Sequence, residues 1–230
     1  MIWRKIVYVL LLSWIAISAE AQSNASRMDW WREARFGMFI HLGLYSAAAG
    51  EWNGKEVEGI GEWIQNFAKV PNREYEKLLS DFTLNKCKPE TWVQIAKQAG
   101  AKYIVFTAKH HEGFCLYPSD VTDFDIESTP YKGDPLKELI EACHKYGLKV
   151  GIYYSHRQDW REEDAAVMKN EYDGHYGKDK SEVKPNLNRY IQNKALPQMR
   201  ELLTNYGQID LFWYDTPFDL STEPAFCQCG

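Results

Sequence analysis

A helix followed by a strand can be recognised directly in residues 134–154, DPLKELIEACHKYGLKVGIYY. Asp134-Pro135 is a typical helix start and Gly147 is a typical stop. After Gly147, the run Lys149–Tyr154 is apolar without alternation, which is typical of a parallel strand buried on both faces. The predicted helix has one apolar face, formed by Leu136, Leu139, Ile140 and Cys143.

The same alternation of strand and helix is repeated along the chain. Continuous apolar runs predict three more strands, at Phe36–Leu42, Tyr103–Thr107 and Ile209–Tyr214. Helical spacing predicts helices over Pro89–Ala99 and Leu187–Tyr206. This order indicates an α/β fold whose parallel strands are joined by right-handed crossovers. The apolar face predicted for the helix that begins at Pro89 consists of Trp92, Ile95, Ala96 and Ala99.

The composition is that of a globular protein and argues against several other classes. Of the 230 residues, 45% are hydrophobic and 26% are charged, which excludes disorder or a fibrous repeat as the main state. The formal net charge of −5 argues against a nucleic-acid binder, since such proteins usually carry a basic patch. Aromatic residues reach 14% and suit both a core and platforms for sugar rings. The sequence has no internal repeat or linker, so we expect one domain.

The first 21 residues predict a secretory signal peptide. Arg4 and Lys5 precede the apolar run Ile6–Ser18, and Ala19-Glu20-Ala21 has the small-x-small pattern of a cleavage site. The run is shorter than the roughly 20 apolar residues that a transmembrane helix needs. We therefore expect export to the periplasm or the extracellular space. The mature domain is expected at residues 22–230, without a membrane anchor.

The cysteines predict neither a disulfide framework nor a metal site. They are five in number and lack framework spacing. Cys87, Cys115 and Cys143 lie in or beside apolar runs and are predicted to be small buried hydrophobic residues. The run His110-His111-Glu112 lacks further ligands at the spacing that a zinc site requires. We expect no metal and no cofactor.

Polar and aromatic side chains stand at the C-terminal end of each predicted strand. They are His41, the pair His110-His111, the pair Tyr153-Tyr154, and the run Trp213-Tyr214-Asp215. Because parallel strands of a (β/α) barrel end on one face, where catalytic residues lie, we expect these side chains to meet. Asp215 beside Trp213 is well placed for a nucleophile. Two simpler interpretations stay open: His41 can cap a backbone carbonyl, and Asp215 can be a solvated carboxylate.

Four segments carry a family resemblance when they are taken together. They read WWREARFGMFIHLGLYS at 30–46, AKHHEGF at 108–114, GIYYS at 151–155 and WYD at 213–215. In this combination they resemble the catalytic domain of α-L-fucosidases of glycoside hydrolase family 29, from about Asp29 to Thr216. The resemblance implies a TIM-like (β/α)8 barrel. It also implies an exo-acting retaining enzyme that removes terminal α-L-fucose from glycans by double displacement.

The resemblance also implies roles for individual residues. Asp215 is expected to be the catalytic nucleophile, and a fucosylated glycan or glycoconjugate is the expected partner. Trp63 or Trp213 would supply an apolar wall for the methyl group of fucose, while imidazoles and Glu62 would bind its hydroxyls. The residues expected to line the fucose pocket are His41, Glu62, Trp63, His110, His111, Tyr154 and Trp213.

The resemblance places the general acid/base of the family in the part of the barrel that follows the fourth strand, beyond this chain. Four strand–helix units can be counted, whereas a closed barrel has eight. We therefore expect about the first half of the barrel, truncated at its C-terminal side and inactive by itself. Two alternatives stay open: a fucose-binding remnant without catalysis, and another barrel glycosidase.

Overall fold

The structure, a computed structural model, describes residues 28–86, 88–165 and 185–215. The predicted signal peptide, Cys87 and the C-terminal cysteines lie outside these ranges. Short 3-10 turns cover Gly61–Trp63, Glu76–Asp81 and Ile126–Ser128, and a π-helical turn covers Ile191–Ala195. The other elements are, in chain order, α1 (Asp29–Ala34), β1 (Gly37–Ile40), α2 (Tyr45–Ala48), β2 (Glu51–Trp52), β3 (Lys55–Glu56), α3 (Ile64–Phe67), α4 (Asn72–Tyr75), α5 (Pro89–Gln98), β4 (Tyr103–Lys109), α6 (Pro135–Tyr146), β5 (Lys149–Tyr154), α7 (Leu187–Tyr190), α8 (Leu196–Asn205) and β6 (Leu211–Tyr214).

Within the described residues, the main sheet has four parallel strands in the order β1-β4-β5-β6. Each of them overlaps a run that the sequence predicts to be a strand, and β4 extends two residues beyond its predicted run, to Lys109. Helices occupy the connections, so the α/β fold is confirmed. The strands β2 and β3 form a small antiparallel hairpin. No helix in the described part of the chain is long and apolar enough to cross a membrane.

Helix α6 begins, ends and packs as its sequence predicts. The Asp134 side chain accepts a hydrogen bond from the Lys137 N–H at 2.9 Å, and Gly147 ends the helix with a φ of +68°. The predicted apolar face is buried. Helix α5 is rotated relative to its predicted face, because Val93 and Ala96 are buried whereas Ile95 is 50% exposed. Helix α5 packs against α6.

The helix predicted over Leu187–Tyr206 is interrupted by the π-helical turn Ile191–Ala195. This turn carries Lys194, which is buried and whose Nζ lies 2.7 Å from Glu162 Oε1 and 3.1 Å from Asp159 Oδ2. Sequence periodicity cannot reveal such a turn, because its partners are supplied by the loop after β5.

Alternate side chains of β4 and β5 face the helices and form the hydrophobic core. On the helix side lie Phe106, Ala108, Ile152 and Tyr154. The register between β4 and β5 shifts between Thr107 and Lys109, and Lys109 comes to lie over the Tyr154 ring, 4.8 Å from its centroid. The strand ends and the opposite face of the sheet carry the side chains that the sequence assigns to a site.

Candidate active site

Three strand ends converge on the carboxylate of Asp215. Asp215 follows β6, and its Oδ2 accepts a hydrogen bond from the Tyr153 hydroxyl of β5 at 2.6 Å. His111, which follows β4, places Nε2 3.4 Å from the same oxygen. The Asp215 side chain is 31% exposed, so a ligand can reach it. The simpler interpretation of Asp215 as a merely solvated carboxylate therefore does not describe its surroundings.

The predicted histidines lie together beside this carboxylate. The ring centroids of His110 and His111 are 4.2 Å apart, and His110 stacks on Tyr153 at 5.4 Å and 11°. His41, after β1, lies 5.7 Å from His110 and 5.5 Å from Tyr153 between ring centroids. Strand alternation does not separate His110 from His111, because β4 has already ended at Lys109.

The structure places Tyr153, and not the predicted Tyr154, beside Asp215. The Tyr154 side chain points to the helix layer, where its hydroxyl donates to Gln198 Oε1 at 2.8 Å. Tyr153 lies on the other face and reaches Asp215. Successive side chains of a strand face opposite sides, so only one tyrosine of the pair can join the site.

The tryptophans and Glu62 lie at the margin of the cluster. Trp63 contacts His111 edge to face at 5.4 Å. Burial lowers the pKa of His41, and the charge of Glu62 lies close enough to oppose this shift. Trp213 is 40% exposed and contacts Phe39 edge to face at 5.3 Å.

Sequence analysis missed Trp160, which lies beside Trp63 and His111 at centroid distances of 5.3 and 5.6 Å. Its backbone N–H donates to the carbonyl of His111 at 2.7 Å. Trp160 lies in a loop without periodicity, and no local sequence signal identifies it.

All three imidazoles of the cluster are held in the neutral form. Burial lowers the pKa of His41, although Glu62 and Asp215 oppose the shift. Burial, and then the nearby His111, hold the pKa of His110 well below its usual range. Burial also lowers the pKa of His111 strongly, against the opposing charge of Asp215. A neutral imidazole has one donor and one acceptor nitrogen, which suits the binding of hydroxyl groups.

His110, His111 and Asp215 each offer one donor atom, and these atoms lie within 4.8 Å of one another. Two neutral imidazoles and a carboxylate form a donor set that a transition metal accepts. The same groups are equally suited to sugar hydroxyls. The expectation that the site needs no metal stays a prediction.

A buried group of charges lies behind the histidines. Lys109 Nζ is 3.1 Å from Asp159 Oδ2, and both side chains are fully buried. The Lys109 ammonium also donates to the Tyr190 hydroxyl at 3.0 Å. Gly113, with a φ of +84°, leaves space for Asp159, since a β-carbon there would clash with the carboxylate. These contacts join the loop after β5 to the segment that carries His110 and His111.

Glu112 holds the segment after β1 in place. Its buried carboxylate accepts a hydrogen bond from the Leu44 N–H at 3.0 Å and another from the Tyr75 hydroxyl. A β-carbon at Gly43 would clash with this carboxylate. Burial raises the pKa of Glu112 to about 7, although the hydrogen bonds from Tyr75, Leu44 and Tyr45 oppose the shift.

Replacing this carboxyl with an amide is expected to flatten the pH dependence of stability. The pKa of Glu112 is near the ordinary value of 4.5 in the unfolded chain and about 7 in the folded state. Between these values the folded protein binds the extra proton, so the free energy of unfolding falls as the pH rises through this window. The Glu112→Gln variant cannot ionise and loses this part of the slope, which urea unfolding across the window measures.

Glu90→Gln is the matched control for this measurement. Glu90 is an exposed carboxylate whose pKa lies below the usual value, because Lys145 and Tyr146 donate hydrogen bonds to it. Its titration falls below the window, so the slope should not change. Equal slopes in wild type and Glu112→Gln would contradict the assignment.

The chain is similar in sequence to known alpha-L-fucosidases. The family model described as alpha-L-fucosidase matches residues 15–225. The chain is 31% identical to the tissue alpha-L-fucosidase of Macaca fascicularis over 194 residues, which is 81% of this chain and 38% of that protein. The chain therefore spans well under half the length of this relative.

Solved structures show the same similarity in three dimensions. Alpha-L-fucosidase AlfC from Lactobacillus casei, in complex with its α-L-fucose product, superposes with a TM-score of 0.78 at 37% identity, over 85% of this chain and 64% of that one. A GH29 alpha-L-fucosidase from Bacteroides thetaiotaomicron, solved as a trapped covalent intermediate, has a TM-score of 0.71 at 37% identity, over 83% and 41% of the two chains.

Proposed function

Because the chain belongs to the α-L-fucosidase family, glycoside hydrolase family 29, we propose that it supplies the nucleophile side of an exo-acting retaining α-L-fucosidase. The substrate is terminal α-L-fucose on a glycan or glycoconjugate. One observation carries this proposal: Asp215 directly follows a barrel strand, accepts a hydrogen bond from Tyr153 at 2.6 Å, and faces neutral imidazoles in an accessible site.

The proposed reaction has two displacements. The Asp215 carboxylate attacks the anomeric carbon, the bond from that carbon to the leaving oxygen breaks, and a general acid protonates this oxygen. The general acid, now deprotonated, then acts as a base and removes a proton from water. This water attacks the anomeric carbon and releases Asp215. This acid/base is a second carboxyl group, which must lie about 5–5.5 Å from the Asp215 carboxylate. We propose, from the family resemblance, that it comes from outside the described residues.

The surrounding residues suit the binding of fucose. The neutral imidazoles of His41, His110 and His111 each have a ring nitrogen that can form a hydrogen bond with a ring hydroxyl. Trp63 and Trp213 offer apolar surface to the methyl group that distinguishes a 6-deoxy sugar. The trapped covalent intermediate of the Bacteroides thetaiotaomicron enzyme supports the double-displacement mechanism.

The stereochemistry of the first product tests the proposal. We expect 4-nitrophenyl α-L-fucoside to release α-L-fucose first, as proton NMR measures before mutarotation, because two inversions give net retention. The assay uses the full natural protein that contains these residues, called the extended enzyme below. The β-linked aryl fucoside serves as the control and should not react.

Two other results would contradict the proposed activity. Initial release of β-L-fucose would indicate a single displacement, in which Asp215 is not a nucleophile. Binding of fucose without hydrolysis by the extended enzyme would favour the alternative of a fucose-binding remnant.

A further inference from the structure

Ser155 makes two hydrogen bonds through one hydroxyl, and this determines the direction of both. Its Oγ lies 2.8 Å from the carbonyl oxygen of Gln158 and 2.7 Å from Nδ1 of His111. A carbonyl oxygen cannot donate, so the hydroxyl hydrogen must point to Gln158. The contact with His111 then needs a hydrogen from the imidazole, and Nδ1 must carry it.

A neutral imidazole with hydrogen on Nδ1 has a bare Nε2. Burial lowers the pKa of His111 and keeps the ring neutral. The bare Nε2 therefore faces Asp215 Oδ2 at 3.4 Å, and two lone pairs meet. This arrangement favours a hydrogen-bond donor that enters beside them, and the hydroxyl of a sugar is such a donor.

We propose that Ser155 is a positioning residue that holds His111 in the Nδ1–H tautomer, so that Nε2 accepts a hydrogen bond from a hydroxyl of the sugar beside Asp215. The sugar part of this inference rests on the proposed function. The opposite tautomer would direct an N–H at Oδ2, which already accepts a hydrogen bond from Tyr153 at 2.6 Å. A second donor there would stabilise the carboxylate before attack and weaken the nucleophile.

Backbone contacts hold Ser155 at this position independently of its hydroxyl. The Ser155 N–H donates to the carbonyl of Lys109 at 2.9 Å, and the Trp160 N–H donates to the carbonyl of His111 at 2.7 Å. Because these bonds remain in Ser155→Ala, that substitution removes the tautomer control while the loop stays attached to the end of β4.

The tautomer can be measured without any enzymatic reaction. Long-range proton–nitrogen NMR spectra separate the protonated from the bare nitrogen of each of the six histidines, and His111→Gln assigns the signal. We expect wild-type His111 to carry its hydrogen on Nδ1, Ser155→Ala to show a mixture of tautomers, and Ser155→Thr to restore the wild-type pattern. Ser128→Ala is the matched control, since that hydroxyl donates only to the carbonyl of Asp123, at 2.6 Å.

Fluorinated substrates test the role toward the sugar in the extended enzyme. Fluorine cannot donate a hydrogen bond, so aryl fucosides with fluorine at C2, C3 or C4 should include one that loses at least about tenfold in kcat/KM relative to the parent fucoside. The ratio of kcat/KM for the parent fucoside to kcat/KM for this fluorinated fucoside should be smaller in Ser155→Ala. In that variant, His111 can carry its hydrogen on Nε2 and direct this N–H at the fluorine. The electronic effect of fluorine is common to both enzymes and cancels in this comparison.

The possible failures are distinguishable. A wild-type His111 with hydrogen on Nε2 overturns the inference, whether or not fucosides are hydrolysed. Equal fluorine ratios in wild type and Ser155→Ala overturn its sugar-binding part. The Nδ1–H tautomer in a protein that hydrolyses no fucoside supports the role of Ser155 toward His111 and contradicts the proposed function alone.

Discussion

Replacing Asp215 with glycine is expected to lower kcat of the extended enzyme for 4-nitrophenyl α-L-fucoside by at least about a thousandfold, which corresponds to about 4 kcal/mol in the barrier. In the proposed mechanism this carboxylate forms the covalent bond to the anomeric carbon, and the described side chains that contact it cannot take over that role. Tyr153 and His111, which face this carboxylate, can bind a ligand but cannot form a glycosyl ester.

Azide should restore turnover in Asp215→Gly. The small anion fits the space left by the side chain and attacks the anomeric carbon in place of the carboxylate, since the nitrophenolate leaves readily. The product is a fucosyl azide with inverted configuration, which NMR identifies. Activity above about a tenth of wild type without azide would contradict the nucleophile role, because loss of the attacking group costs several kcal/mol.

Asp210→Asn is the matched control for this experiment. Asp210 directly precedes β6, whereas Asp215 directly follows it, and Asp210 pairs with Lys149 at 2.7 Å. This change also removes one carboxylate near the same strand. It lies at the opposite end of the barrel from the site, so kcat should be close to that of wild type.

Removing the buried carboxylate of Asp159 is expected to lower the free energy of unfolding by about 3–5 kcal/mol, because Lys109 then remains as an uncompensated buried charge. In the native protein Lys109 and Asp159 are both fully buried and 3.1 Å apart. Lys194 keeps a second carboxylate, Glu162, at 2.7 Å. Lys109 is therefore the residue that is mainly left without a counter-charge. Urea unfolding of Asp159→Asn measures the decrease in the free energy of unfolding.

A double variant distinguishes loss of the ion pair from general damage to the loop. Asp159→Asn combined with Lys109→Met removes both buried charges, so part of the lost stability should return. Glu90→Gln breaks an exposed ion pair with Lys145, which solvent screens, and should cost much less stability than Asp159→Asn. A loss in Asp159→Asn as small as that of this control would show that the buried pair contributes little.

Local sequence determined most of the α/β framework. Asp134, Gly147 and the intervening apolar spacing place helix α6 within one residue of its observed bounds, and the run at Lys149–Tyr154 coincides with β5. These signals succeed because caps, breakers and periodicity act within a few residues. The positions of His41, His110, His111 and Asp215 at strand ends likewise follow from order along the chain, since parallel strands end on one face.

Only the tertiary structure decided which of two adjacent residues belongs to the site. Tyr153 and Tyr154 are the same residue type at one strand end, and alternation separates them without saying which face is inside. The choice depends on where the helices pack: Tyr154 meets Gln198 of α8, and Tyr153 is left to reach Asp215. Which side of α5 is buried was likewise visible only in the tertiary structure, where Val93 rather than Ile95 is buried.

Contacts between residues that are distant along the chain also could not be predicted from the sequence. Lys109, Asp159 and Lys194 are separated by 50 and 35 positions, and their charges meet only because the loop after β5 and the π-helical turn come together behind β4. The tautomer of His111 depends on Ser155, 44 positions away, and on the carbonyl of Gln158. Propensity and periodicity describe a residue's near neighbours along the chain, whereas burial, hydrogen-bond direction and charge pairing are set by neighbours in space.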